Sequence, residues 1–149
     1  MTAIDAPSLV LDVRLRQGTF SLDLCVRTTA RTVAIFGPSG AGKTTTLDSV
    51  AGLRHPDAGT IQFGSQVLFD HLQGVDLQPH MRRIGYVPQE LALFPHLDVR
   101  QNVMYGTRSY EGSEDARHVF EILEIDALLS RRIGGLSGGE RQRVALARA

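Results

Sequence analysis

The stretch "GPSGAGKTT", Gly37 to Thr45, constrains this chain more than any other. It fits GxxxxGK[ST] and stands between a short apolar run, "RTVAIF" at Arg31 to Phe36, and a helix-forming run that begins near Gly42 and continues through "KTTTLDSVAGL". A strand before and a helix after are the context such a loop requires. Gly37, Gly40 and Gly42 let backbone amides point at phosphate oxygens with no side chain in the way. Lys43 would reach the β and γ phosphates, Thr44 would ligate Mg²⁺, and the helix start adds partial positive charge. Pro38, Ser39, Ala41 and Thr45 complete the expected nucleotide-binding set. The motif alone does not choose among kinases, GTPases and motor-type ATPases, although a guanine-reading NKxD is absent.

The rest of the chain reads as a mixed α/β protein with sheet first and helices later. Leu9, Leu11, Val13 and Leu15 alternate between Ser8 and Arg16, and "TFSLDLCV" from Thr19 to Val26 repeats the alternation after Gly18, which predicts a pair of strands with one buried face each. "RTVAIF" predicts a buried strand, "PDAGTIQFGSQVLFD" a hairpin carried by Gly59 and Gly64, and "RRIGYV" at Arg82 to Val87 a further short strand. Beyond Pro95 the pattern turns helical, with a cap at Asp98 and a stop at Gly106, then a second helix capped at Ser113 that places Val119, Phe120 and Leu123 on one face.

With 149 residues the chain suits one domain with a real core. Its 16 basic and 16 acidic residues balance, so total charge draws it toward neither nucleic acid nor anionic lipid, and any anion binding must be local. Cys25 is the single cysteine, which excludes an internal disulfide and suits a reducing compartment. No apolar run approaches the roughly 20 residues that span a bilayer, and "MTAIDAPSLV" lacks the features of a secretory signal. The five histidines, at 55, 71, 80, 96 and 118, show no zinc spacing. "RQRVALARA" reads as the charged face of an amphipathic helix rather than a nucleic-acid patch.

Two further motifs follow the phosphate loop. Gln89 lies 46 residues after Lys43, just past the apolar run that ends at Val87, and "LSGGE", Leu136 to Glu140, begins 47 residues after Gln89. In the second motif Ser137 is a good helix N-cap, and Gly138 and Gly139 free the backbone to approach an anion. Two anion-binding helix starts and one γ-phosphate suggest that each supplies half of a sandwich.

These three motifs, in this order and at this spacing, resemble the nucleotide-binding subunit of an ABC transporter across nearly the whole chain. The resemblance implies a P-loop NTPase of ABC type: an N-terminal antiparallel β region, part of a parallel-sheet core over about 8–89, and a helical subdomain over about 90–149. It implies ATP and Mg²⁺ as ligands, with Lys43 and Gln89 as catalytic residues and Thr44 and Gln89 facing the metal. Leu136, Ser137, Gly138, Gly139 and Glu140 are implied to act in trans, on the γ-phosphate held by a second, identical subunit. Family members stack adenine on an aromatic residue upstream of the loop, a role that would fall to Phe20 if it is not simply strand core. The apolar stretch "LALFPHL", beside Gln89, is implied to receive a membrane-embedded permease over Gln89 to Leu97, unless it is ordinary core. A solute-binding protein is implied indirectly and nucleic acid is not. The expected location is the cytoplasmic face of the cell membrane, as a peripheral subunit.

"LFPHLDVRQNVMYG" and "MRRIGYVPQE" are similar to the importer branch, and the Lys-Thr-Thr ending, "LFPHL" and "YG" most resemble molybdate-type oxyanion importers; sulfate, polyamine and sugar importers share much of this. In the family, an apolar strand ending in an acidic pair and a loop with a switch histidine follow "ALARA". The chain ends before them, so the expectation is a C-terminally truncated domain whose ATP binding is weakened and whose hydrolysis is near background. The alternatives are a catalytically inactive ATP-binding remnant or dimerisation module, and a non-transport family member in DNA repair or translation. The short spacing from Gln89 to Leu136, without heptads, argues against the repair type.

Overall fold

Alternation of apolar residues produces the first element pair as expected: β1 (Leu9–Gln17) and β2 (Phe20–Thr28) run antiparallel, with Leu9 opposite Thr28 and Gln17 opposite Phe20. The computed structural model describes residues 9–106 and 114–149, so the proposed strand start at Ser8 and helix cap at Ser113 lie outside the described residues. The other edge of β1 pairs antiparallel with β3 (Ala58–Phe63), which forms a hairpin with β4 (Gln66–Asp70). A two-residue strand that no sequence signal marked, β5 (Val75–Asp76), completes a five-stranded sheet in the order β2-β1-β3-β4-β5. Leu11, Val13, Leu15, Leu22, Ile61, Leu68 and Phe69 form its core. At Gly59, φ is +111° and a β-carbon would stand 2.0 Å from the carbonyl oxygen of Asp12, so the close pairing of β3 with β1 requires glycine.

Helix α1 (Lys43–Ala51) follows the phosphate loop and ends at Gly52. Its C-terminal carbonyls are met by Arg82, which is 2% exposed. The guanidinium donates to the carbonyls of Ser49 at 2.7 Å, Val50 at 3.0 Å and Leu77 at 2.7 Å, and to Asp76 Oδ1 at 3.0 Å. Burial pushes the Arg82 pKa down and the Asp76 carboxylate opposes that shift, so the pair is what makes the buried charge tolerable.

Two expected strands do not form. Residues 31–36 and 82–87 carry no ladder, and every described strand pairing is antiparallel, so the parallel part of the expected core is absent among the described residues. Val33 and Ile35 are 44% and 37% exposed and Phe36 is 91% exposed, the opposite of a buried strand. The physical reason is partnership: an apolar run of this kind is strand-competent, but its backbone groups are satisfied in a sheet only when a strand lies alongside.

The chain divides into two compact units, Met1–Ile84 and Gly85–Ala149. The second is helical: α2 (Val99–Val103), α3 (Glu114–Ile122) and α4 (Gly138–Arg148) enclose Val99, Val103, Phe120, Ile125, Leu128 and Val144. Asp98 caps α2 as the sequence suggests, accepting from the Gln101 amide at 2.7 Å while Gln101 Oε1 accepts from the Asp98 amide at 3.0 Å. No helix among the described residues is long and apolar enough to cross a membrane.

Candidate functional site

The phosphate loop is an exposed turn that closes on itself. Gly37, Pro38, Ser39, Gly40 and Ala41 are all exposed, and the Ala41 amide donates to the Pro38 carbonyl at 3.2 Å. Gly40 has a φ of +81°, which calls for glycine, and apart from its chain neighbours no described residue comes within 4 Å of where a β-carbon would stand, so that side of the loop is open. Lys43 bends back over the loop, its Nζ donating to the carbonyls of Gly37 at 2.9 Å and Pro38 at 2.8 Å. The first intrahelical bond runs from the Thr46 amide to the Gly42 carbonyl at 2.8 Å, so the amides of residues 42–45 precede the helical ladder and are the ones available to an anion. No acidic side chain stands in that first turn. Backbone donors, one lysine and no carboxylate fit a polyphosphate, and the hydroxyl of Thr44 is a hard oxygen of the kind Mg²⁺ takes. The next hydroxyls are committed inward: Thr46 Oγ1 donates to Gly42 at 3.0 Å and Ser49 Oγ to Thr45 at 2.8 Å.

Gly42 is the joint on which this arrangement turns. Its φ is +93°, and a β-carbon there would come within 3.0 Å of Phe20 Cζ and 3.1 Å of Leu22 Cδ1. Phe20 is half-buried against the sheet core, with its ring tip under Gly42. The candidate adenine-stacking residue therefore also supports the loop from below.

Gln89 and the LSGGE motif lie in the second unit. Gln89 is exposed at the mouth of a turn closed by the Leu91 amide on the Pro88 carbonyl at 2.9 Å. Gln89, Leu91, Gly138 and Gln142 line one cavity of about 470 Å³, which brings Gln89 and the LSGGE motif to a common space. Leu136 is 5% exposed and anchors the motif in the helical core, whereas Ser137, Gly138 and Gly139 are exposed. Ser137 caps α4 in both directions: its Oγ accepts from the Glu140 amide at 3.3 Å, and its own amide donates to Glu140 Oε2 at 2.7 Å. That backbone bond, helped by the Ser137 side chain, holds the Glu140 carboxyl below the usual carboxylate range.

Three side chains that the sequence did not single out hold these pieces. Arg82 fixes the end of α1. Asn102, fully buried, ties the loop after Gln89 by accepting from the Phe94 amide at 2.8 Å and donating to the carbonyls of Phe94 at 3.1 Å and Asp98 at 2.9 Å. Arg148 donates to the carbonyls of Ala92 at 2.7 Å and Leu91 at 3.1 Å, with its guanidinium 5.2 Å from the centre of the Phe94 ring. In "LALFPHL", Leu93 packs on the helical core and Phe94 lies 4.3 Å from the Tyr105 ring, while Ala92, Pro95 and His96 are exposed. No local pattern marks Arg148, whose partners are 56 and 57 residues away.

Comparison with known proteins agrees with this geometry. The family model described as "ABC transporter" matches residues 21–149. The chain is 49% identical over 144 residues to the molybdenum import ATP-binding protein ModC of Paramagnetospirillum magneticum, covering 95% of this chain and 40% of that protein. It is 48% identical over 147 residues to the protein of the same name from Rhodospirillum rubrum, covering 95% of this chain and 39% of that one. The chain thus spans about two fifths of the length of the curated relatives it matches. Among solved structures, a bacterial Atm1-family ABC exporter with ATP bound superimposes with a TM-score of 0.75 at 25% identity, over 99% of this chain and 27% of that one. The matched family, the phosphate loop leading into α1 and the capped LSGGE helix converge: the chain belongs to the ABC transporter family.

Proposed function

We propose that this chain is the N-terminal part of the ATP-binding subunit of an ABC importer that couples ATP binding and hydrolysis to uptake of an oxyanion, molybdate being the first candidate. The observation that carries ATP binding is the loop closed by Lys43 over Gly37 and Pro38 at the start of α1. The substrate reading is supported by the molybdenum-import names of the two relatives, 49% and 48% identical.

In this reading the amides of the first turn of α1 receive phosphate oxygens, Gly40 turns the loop around them, and Lys43 exchanges its loop carbonyls for the β and γ phosphates. Thr44 and Gln89 are the candidate Mg²⁺ contacts, and Mg²⁺ supplies neutralisation of the charge that develops during phosphoryl transfer. Ser137, Gly138 and Gly139 of an identical partner cover the γ-phosphate, so ATP joins two subunits and its cleavage releases them. Phe20 supports the loop and offers a ring edge to adenine. A permease seats near Gln89 to Leu97, placing the subunit on the cytoplasmic face of the membrane, and a solute-binding protein delivers cargo on the other side. No carboxylate stands in the loop or in the first turn of α1, so a base that polarises the attacking water must come from outside this loop.

Uptake of labelled molybdate by the native cell, with Lys43→Ala introduced at this gene, tests the reading. The expected result is loss of high-affinity molybdate uptake, with sulfate uptake retained. Unchanged molybdate uptake contradicts the substrate assignment.

A further inference from the structure

The turn that follows Gln89 is held in a conformation its residues do not favour. Leu91 and Ala92 are consecutive non-glycine residues at φ of 60° and 47°, the left-handed region in which a β-carbon crowds the neighbouring carbonyl. Local bonding is thin: the Leu91 amide reaches Pro88 at 2.9 Å, and the Ala92 amide reaches back only two residues, to Glu90, at 2.7 Å. Such a backbone persists only where its surroundings hold it.

We propose that Arg148 is a positioning residue for Gln89, a clamp that locks the turn after Gln89 to the helix opened by the LSGGE motif. The left-handed pair turns the Leu91 and Ala92 carbonyls to where one guanidinium can donate to both, at 3.1 Å and 2.7 Å. The same group lies 5.2 Å from the centre of the Phe94 ring, a cation-π contact that keeps the fork from swinging away. The other end of the lever is equally fixed. Val144 and Ala145 are buried and set the rotation of α4, and the reciprocal Ser137–Glu140 cap sets its first turn. Gln89 and Gly138, facing one cavity, therefore hold a constant spacing within this unit, and a displacement of the LSGGE turn is carried through α4 to the Gln89 turn. Arginine is required because two carbonyls must be met by one planar fork, which a lysine ammonium cannot span in the same way. What Gln89 then does rests on the ATP reading above; the clamp itself does not.

Nucleotide-free amide exchange and the side-chain amide signal of Gln89, both read by NMR on the 149-residue chain, test the clamp separately from ATP binding. Arg148→Met should raise exchange at Leu91 and Ala92 at least tenfold and broaden the Gln89 side-chain signal, while the Asn102 and Arg141 amides, bonded to Asp98 and Ser137, keep their rates. Adding Ala92→Gly, which relieves the left-handed strain, should restore protection at Leu91 and the sharp Gln89 signal. If Arg148→Met also loosens Asn102 and Arg141, Arg148→Lys decides, with the same local loss expected. Wild-type exchange at Leu91 and Ala92 in an Arg148 variant that keeps its fold overturns the proposal, as does an unaltered Gln89 signal.

Discussion

Arg82 shows how much of this protein depends on single side chains that no motif marks. It sits in a stretch that reads as strand, yet its guanidinium is spent on the α1 carbonyls, Leu77 and Asp76, almost fully out of water. Arg82→Met should destabilise the chain by about 3 kcal/mol in urea unfolding, because buried carbonyls and Asp76 lose their partner together. At this scale the phosphate-loop and LSGGE residues were legible, since glycine freedom, a helix cap and a lysine act within a few residues of themselves. At Gly40 the backbone angle, φ +81°, is itself enough to select glycine. Arg82, Asn102 and Arg148 were not legible, because each acts on backbone that the sequence brings near only after folding. Phe20 is intermediate: its place upstream of the loop suggests either strand core or stacking, and the ring tip beneath Gly42 adds a supporting role.

At the scale of elements, α4 is the clearest case of local chemistry writing structure. Ser137→Ala should cost about 1 kcal/mol through loss of the cap. The Glu140 half of the cap gives that loss a pH dependence. Its folded pKa is depressed, chiefly by the Ser137 amide, so its contribution is present above the ordinary carboxylate value and is lost as pH falls through the depressed one. Urea midpoints of wild type and Glu140→Gln should therefore differ at neutral pH and converge on strong acidification; a constant gap would remove the carboxylate from the explanation. The alternating strands β1 and β2, the β3–β4 hairpin and the Asp98-capped helix were equally readable. The runs at 31–36 and 82–87 were misread because strand competence is a local property and strand formation is not: the ladder needs a neighbour that the pattern cannot supply. Pairing of β3 with β1 was unreadable for the same reason, although Gly59 marks where the two backbones meet.

At the scale of the whole molecule, apolar surface stands exposed among the described residues. Val33, Ile35, Phe36 and Leu47 border an apolar cavity of about 570 Å³ in the first unit, and Phe36 is 91% exposed. Surface of this kind drives association, so sedimentation should show concentration-dependent self-association of the chain, reduced by Phe36→Ser; a monodisperse monomer indifferent to that change would contradict this. Each ATP-dependent role proposed for this chain requires that the Gly37–Thr45 loop bind nucleotide. Equilibrium titration of the chain with ATP, with and without Mg²⁺, beside Lys43→Ala, tests it most directly. Binding strengthened by Mg²⁺ and at least about tenfold weaker in Lys43→Ala, the loss of one charged phosphate contact, is the expected result. Equal binding by the two chains, or none by the wild type while it remains folded, would contradict it.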